Sequence, residues 1–192
     1  NIDPTPVLGV VGTISSIEKK APGCAYNNDD VLVLVQPSTT DEKHLTLSGS
    51  EFATMRNKRE GMAPVVNLET TLKAISTVKE AVLTQDISAI HDISDGGLFT
   101  CLAEMACAAN IGFDVSINDD HAALVELFAE GPGRFVIAAH ADKLSDLMKE
   151  LEDKSVQTFV LGRAGGERCI VQRYLESVVN AKLSEVKNIW SN

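Results

Sequence analysis

The alternation of apolar and polar positions divides this chain into short strand-like runs and a few helical stretches. Residues 7–14 (VLGVVGTI) form a β-rich run after a double-proline entry, which predicts a strand. Residues 15–30 are polar, with Pro22-Gly23 and Asn27-Asn28-Asp29-Asp30 marking loops. Residues 31–35 (VLVLV) are continuously apolar and predict a buried strand. Residues 37–47 read as a surface loop, and a short helix starts within 48–55.

Asn67 caps a predicted helix whose apolar face is Leu68, Leu72, Ile75, Val78 and Val82. Residues 88–91 are a strand, followed by a helix over 98–109 that buries Leu98, Leu102, Met105, Ala106 and Ala109. Asn110 and Gly112 stop that helix. Residues 113–117 alternate as a half-exposed strand does. Residues 134–139 are another strand, entered through Glu130-Gly131-Pro132-Gly133, and Asp142 caps a helix running through Leu151. Residues 156–161 and 168–172 flank Arg163-Ala164-Gly165-Gly166 and are expected to pair as a hairpin. A short helix over 183–190 closes the chain. Interleaved strands and helices with hairpin links predict an α/β (α+β) layer built on a mixed β-sheet, not a doubly wound parallel one.

Composition narrows the function classes. At 192 residues with 44% hydrophobic content, the chain can bury a substantial core and is not a disordered polymer. Its net charge of −10, with no basic run, argues against nonspecific nucleic-acid binding, which needs Lys and Arg on phosphates. Cys24, Cys101, Cys107 and Cys169 have neither CxxC nor zinc spacing; Cys101 and Cys107 read as reduced, buried small hydrophobes of a cytoplasmic enzyme. No run is apolar enough for a membrane span and no signal peptide opens the chain. The start at Asn1 reads as that of a piece excised from something longer.

The richest chemistry lies in His91-Asp92-Ile93-Ser94-Asp95-Gly96-Gly97-Leu98, where a strand passes through an acidic, glycine-paired turn into a helix. Backbone N–H groups at such a turn attract anions, and the aspartates could hold a divalent cation that bridges to a phosphate. The alternative is structural, with Ser94 or Asp95 as an N-cap and the glycines making a tight turn. Glu130-Gly-Pro-Gly-Arg134 could bind a phosphate or amide, or Glu130 and Arg134 could pair with each other. His91 beside Asp92 is either a carboxylate-held base or a structural histidine; nothing nearby supplies a nucleophile. The turns at 91–97, 130–134 and 48–51 are expected to converge at one end of the sheet. Residues 162–166 (GRAGG) lack the Lys-Ser/Thr of a nucleotide P-loop.

Five segments together, in order, resemble the phosphoribosylformylglycinamidine synthase family: Asp3-Pro4-Thr5-Pro6 through Gly12, Ser48-Gly49-Ser50-Glu51-Phe52, His91 to Leu98, Leu102-Ala103-Glu104-Met105-Ala106, and Leu127-Phe128-Ala129-Glu130-Gly131-Pro132-Gly133-Arg134. The closing Leu183-Ser184-Glu185-Val186 and Trp190 are similar to that family's last helix. The resemblance implies the fold shared with aminoimidazole ribonucleotide synthetase, in which N-terminal domains dimerise or pseudo-dimerise and each carries a C-terminal α/β domain. The His-Asp-Ile-Ser-Asp-Gly-Gly-Leu form resembles the C-terminal domain of the second of two fused halves. Residues 1–14 would then hold the last strand of the preceding domain, 15–30 a linker, and 31–192 the C-terminal domain.

The activity that the resemblance implies is ATP-dependent conversion of a formamide to an amidine. ATP and Mg²⁺ activate the amide oxygen of formylglycinamide ribonucleotide, and ammonia arrives from a glutaminase subunit or domain. The family's catalytic His, metal-binding acids and Asn-Val-Ser segment belong to regions upstream of Asn1, so the piece is expected to be inactive alone. The first half's Glu-Ser-Gln corresponds here to Glu130-Gly131-Pro132, without the Ser and Gln, which points to a pseudo-active site of the kind that holds a structural nucleotide in some members. No catalytic residue is therefore assigned. The candidate phosphate- or nucleotide-facing rim is His91, Asp92, Asp95, Gly96, Gly97, Glu130 and Arg134. The rival readings are a selenophosphate, thiamine-phosphate or hydrogenase-maturation member of the same superfamily, and a non-catalytic assembly module.

Overall fold

The apolar run at 31–35 becomes strand β1 (Val31–Gln36), and its two faces feed two different cores. Side chains alternate across a strand, so Val31, Val33 and Val35 go to one side while Leu32 and Leu34 go to the other. With both faces covered, no polar position is tolerated along the run, and each fully buried aliphatic side chain contributes about 1.5–3 kcal/mol. The computed structural model describes residues 7–17, 20–38, 45–58, 61–84, 87–117, 122–154 and 156–191.

The other strands are β2 (Ile87–Asp92), β3 (Phe113–Ser116), β4 (Phe135–Ala139), β5 (Gln157–Ala164), β6 (Arg168–Arg173) and β7 (Glu176–Lys182). Among the described residues they form one sheet in the order β2-β4-β1-β5-β3-β6-β7. Only β3 and β6 pair in parallel; the remaining pairs are antiparallel, which makes the sheet mixed as expected. The helices are α1 (Glu51–Met55), α2 (Leu68–Thr84), α3 (Gly97–Ala109), α4 (Ala123–Phe128), α5 (Leu144–Asp153) and α6 (Leu183–Trp190). Ala74, Val78 and Ala81 of α2 and Leu147 and Leu151 of α5 pack on the Val31/Val33/Val35 face. Leu98, Leu102 and Met105 of α3, Leu127 of α4 and Leu183 of α6 pack on the Leu32/Leu34 face.

Four expectations change. The 156–161 and 168–172 runs do not make a hairpin, because β3 inserts between β5 and β6. Tight backbone contact permits the insertion: a Cβ on Gly112 would lie 2.2 Å from Arg168 O, and one on Gly162 the same distance from Asp114 O. The α2 face is also different. Asn67 caps the helix as predicted, its Oδ1 accepting from Thr70 N–H at 3.1 Å. The buried positions, however, are Thr71, Ala74, Thr77, Val78 and Ala81, whereas Leu68 and Leu72 are 73% and 62% exposed. Small side chains bring the helix backbone close to the sheet and its connections, and bulky leucines are turned outward.

Residues 7–14 form no strand here, and Val7, Leu8, Val10 and Val11 are at least 90% exposed. A strand requires a partner edge, and neither edge strand of this sheet receives them. Asp142 does not cap α5. Its carboxylate pairs with His140 Nδ1 at 2.6 Å, raising the imidazole's pKa and lowering its own, and α5 starts at Leu144 without a side-chain cap. Strand β7 and helix α4 were not anticipated. Within residues 15–30, Tyr26 is buried and donates from its hydroxyl to Ile111 O at 3.0 Å, and Ile90 N–H donates to Gly23 O at 3.1 Å.

All four cysteines are free, and Cys101 and Cys169 are buried. Burial pushes their thiols up from 9.0, that of Cys169 to about 11. Above about pH 9 the unfolded chain releases thiol protons that the folded chain keeps. Stability is therefore intact below that pH and falls as pH rises toward 11, by about 1.4 kcal/mol per pH unit for each thiol titrating only when unfolded. Urea midpoints measured between about pH 8 and 10.5 should fall, and Cys101→Ala/Cys169→Ala should flatten the slope. A level midpoint across that range would contradict the burial of these thiols.

Candidate functional site

β2 ends at Asp92, and the chain then makes a turn held at two points. Ile93 N–H donates to Arg134 O at 2.9 Å and Gly97 N–H to Ser94 O at 3.1 Å. Gly96 is the N-cap of α3 in the left-handed region (φ 80°), and Gly97 follows at φ 72°. Neither Ser94 nor Asp95 caps the helix; Gly96 has no side-chain cap of its own. The acceptor comes instead from far along the sequence, since Gly96 N–H donates to Glu130 Oε1 at 2.8 Å.

The same Glu130 oxygen accepts from Glu51 N–H, also at 2.8 Å. One carboxylate oxygen thus joins the turns at 91–97 and 130–134 to the start of α1, which is the convergence the sequence predicts. Ser50 caps α1 by accepting from Ala53 N–H at 3.2 Å. Phe52 stacks on Phe128 with centroids 4.8 Å apart, and Phe99 meets Phe128 edge-on at 6.0 Å. Aromatic contact and an internal anion together hold α1 against α3 and α4. Glu130→Ala is expected to lose about 2–3 kcal/mol because two amides lose a charged acceptor. Glu130→Gln, which keeps an acceptor oxygen, should lose about half that. Thermal unfolding and faster hydrogen exchange at Gly96 and Glu51 would report it; unchanged exchange at both amides would refute the tie.

Arg134 does not pair with Glu130. Only 2% exposed, it donates from Nε to Gln36 Oε1 and from Nη1 to Ala129 O, both at 3.2 Å. Its Nη2 has no hydrogen-bond partner among the described residues. Desolvation lowers the guanidinium's pKa to about 10, against the opposing pull of the buried Glu126 carboxylate. His91 is likewise engaged. Its Nε2 lies 3.0 Å from Glu104 Oε2 on α3, and its Nδ1 lies 2.9 Å from Asp92 O. Nε2 therefore ties β2 to α3, while Nδ1 is engaged locally at the end of β2. Gly97 packs on α4, where a Cβ would come within 2.8 Å of Leu127 O and Phe128 Cα.

Asp92, Ser94, Asp95, Glu130 and Arg134 line one open cleft of about 570 Å³. Its rim carries Asp92 and Asp95, both exposed, while the one cation sits beneath it. Among the described residues, no group of three His, Cys, Asp or Glu side chains is close enough to hold a metal ion. The Gly96 amide, the natural anion donor of the corner, is already bonded to Glu130. These residues do not by themselves fit a magnesium–triphosphate group. Gln36, Glu104 and Glu126 were missed by sequence reasoning. The available signal was a lone polar residue in an apolar stretch, as Glu126 is within ALVELF.

A family model described as AIR synthase related protein, C-terminal domain, matches residues 27–172. The phosphoribosylformylglycinamidine synthase subunit PurL of Moorella thermoacetica is 30% identical over 190 residues, covering 98% of this chain and 25% of that protein. The corresponding subunit of Pyrococcus horikoshii is 32% identical over 192 residues, covering 100% and 25%. The chain thus spans about a quarter of the length of the curated relatives it matches. Among solved structures, PurL of T. maritima complexed with FGAR superposes with a TM-score of 0.73 at 14% identity, covering 89% of this chain and 30% of that one. The hydrogenase maturation protein HypE superposes with a TM-score of 0.55 at 14% identity, covering 82% and 55%. No helix among the described residues is long and apolar enough to cross a membrane. On the match over residues 27–172, the chain belongs to the AIR synthase related family, as a C-terminal domain of that type.

Proposed function

We propose that this chain is the C-terminal domain of the second half of a phosphoribosylformylglycinamidine synthase of the PurL type, acting in purine biosynthesis in the cytoplasm. The observation that carries this reading is the match to PurL subunits over essentially the whole chain at 30% identity. The parent enzyme would convert formylglycinamide ribonucleotide to the amidine with ATP, Mg²⁺ and ammonia from a glutaminase partner. Solved T. maritima relatives are PurL complexes with FGAR and with ATP, and a PurLQS assembly, which supports those ligands and that partner for the parent. Residues 7–14, apolar and exposed, would supply the last strand of a preceding domain, with a linker leading to the C-terminal domain.

Within that enzyme the present chain would supply a wall. The rim of Asp92, Asp95 and the Gly96–Glu130 tie would face a nucleotide or phosphate whose charge is met by other domains; His91, Gly97 and Arg134 would hold the rim in place. Deleting the parent gene in an organism without a paralogue should produce purine auxotrophy, and normal growth without purines would overturn the assignment. In the full-length enzyme, Asp95→Asn should lower ATP-dependent turnover while leaving unfolding unchanged, because Asp95 is exposed.

A second reading, a purely architectural module, is favoured by the engagement of the Gly96 amide and both His91 nitrogens within the fold. Unchanged turnover in Asp95→Asn, together with no saturable uptake of ADP and Mg²⁺ by the full-length protein at this corner, would select it.

A further inference from the structure

Along α1 lies a groove of about 520 Å³ that shares no lining residue with the acidic cleft. Leu47, Ser48, Phe52, Ala53 and Leu124 line it together with the exposed Arg56 and Lys58. No carboxylate is among its lining residues, in a chain whose net charge is −10. Neither Arg56 nor Lys58 has an ion-pair partner among the described residues. The guanidinium of Arg56 lies over the Phe52 ring, 5.5 Å from its centroid, and the same ring stacks on Phe128. The arginine is thereby positioned before any ligand arrives, and the residue is exposed.

We propose that this groove binds a small organic anion, a phosphate or carboxylate attached to a planar apolar body. Arg56 would take the anionic group bidentately and Lys58 would add charge, whereas Leu47 and Leu124 would cover the apolar body. The volume is within the range of small-molecule sites, and the mix of apolar walls with a few convergent polar groups is typical of them. An inorganic anion would use the cations but leave the apolar walls wet. The inference does not depend on the acidic cleft, because the two sites share no lining residue.

Phenyl phosphate is the probe, titrated into the whole chain at physiological ionic strength, with inorganic phosphate alongside. Saturable binding is expected, with amide and side-chain NMR shifts centred on Phe52 and Leu124 and inorganic phosphate binding about tenfold more weakly. Arg56→Gln/Lys58→Gln should weaken binding about tenfold or more. Leu124→Glu, on an exposed position, should do so by placing a carboxylate in the groove. Asp95→Asn should bind as the unaltered chain does, which separates this site from the acidic cleft. Equal binding of the two phosphates would reduce the site to diffuse charge attraction and overturn the proposal. Absence of saturation, shifts centred on the Asp95 corner, or unweakened binding in the folded Arg56→Gln/Lys58→Gln variant would overturn it too.

Discussion

Gly97→Ala is expected to destabilise the fold by about 2–5 kcal/mol, the largest effect of any single-methyl change at the corner. Two independent costs add. A non-glycine residue at φ 72° pays about 1–2 kcal/mol for the left-handed conformation. The new Cβ also meets main chain, 2.7 Å from Leu127 O and 2.8 Å from Phe128 Cα, which cannot step aside as a flexible side chain could. Relief requires α3 to move off α4, loosening the Phe99–Phe128 contact and the Glu130 tie. Against a total stability of about 5–15 kcal/mol for a domain, that is a large fraction. Urea unfolding of the two proteins measures it. A midpoint within error of the unaltered chain would mean that α3 does not approach α4 as closely as the structure has it.

Arg134→Met should cost about 3–5 kcal/mol, from two lost buried hydrogen bonds and a lost positive charge near the buried Glu126. Methionine fills much of the aliphatic volume, so packing is largely retained. What disappears is the guanidinium facing Glu126, a residue only 5% exposed, along with the bonds to Gln36 and Ala129. A buried carboxylate that loses a nearby positive charge is costlier to keep in the interior. The double variant Arg134→Met/Glu126→Gln removes both charges and should recover part of the loss, and the coupling between the two sites should exceed about 1 kcal/mol. Additive losses would show that Glu126 is served by another partner. The depressed guanidinium pKa has its own signature: the folded chain loses that proton near pH 10 while the unfolded chain keeps it to higher pH, so this group's contribution to stability rises with pH above about 10. It opposes the alkaline loss from the thiols, but only in the upper part of their window.

The corner shows which parts of a site a sequence can reveal. Paired glycines after an acidic turn announced a strand-to-helix corner, and three polar turns were expected to meet. Both are found, because turn chemistry is local and connections gather at sheet ends. The partners were another matter. Glu130 was read either as a ligand-binding group or as the partner of Arg134, four residues away; it turns instead to Gly96 and Glu51, 34 and 79 residues away. Sequence proximity made that pair one of the two readings, and burial of Arg134 beneath the cleft excluded it. His91, read as either base or brace, has both nitrogens bonded within the fold.

What the sequence determined by itself was the kind and position of most elements: a run buried on both faces at β1, a capped helix after Asn67, the α3 helix stopped at Asn110, and a mixed sheet. These follow from periodicity and capping, which act within a few residues. The tertiary structure alone decided that β3 lies between β5 and β6, that α2 buries its alanines and threonines and shows its leucines, and that Glu130 joins two helix starts. Each of those outcomes depends on how closely two distant backbones approach. No window of sequence contains that distance; it emerges only when Gly97, Gly112 and Gly162 leave room for a neighbour that packing then supplies.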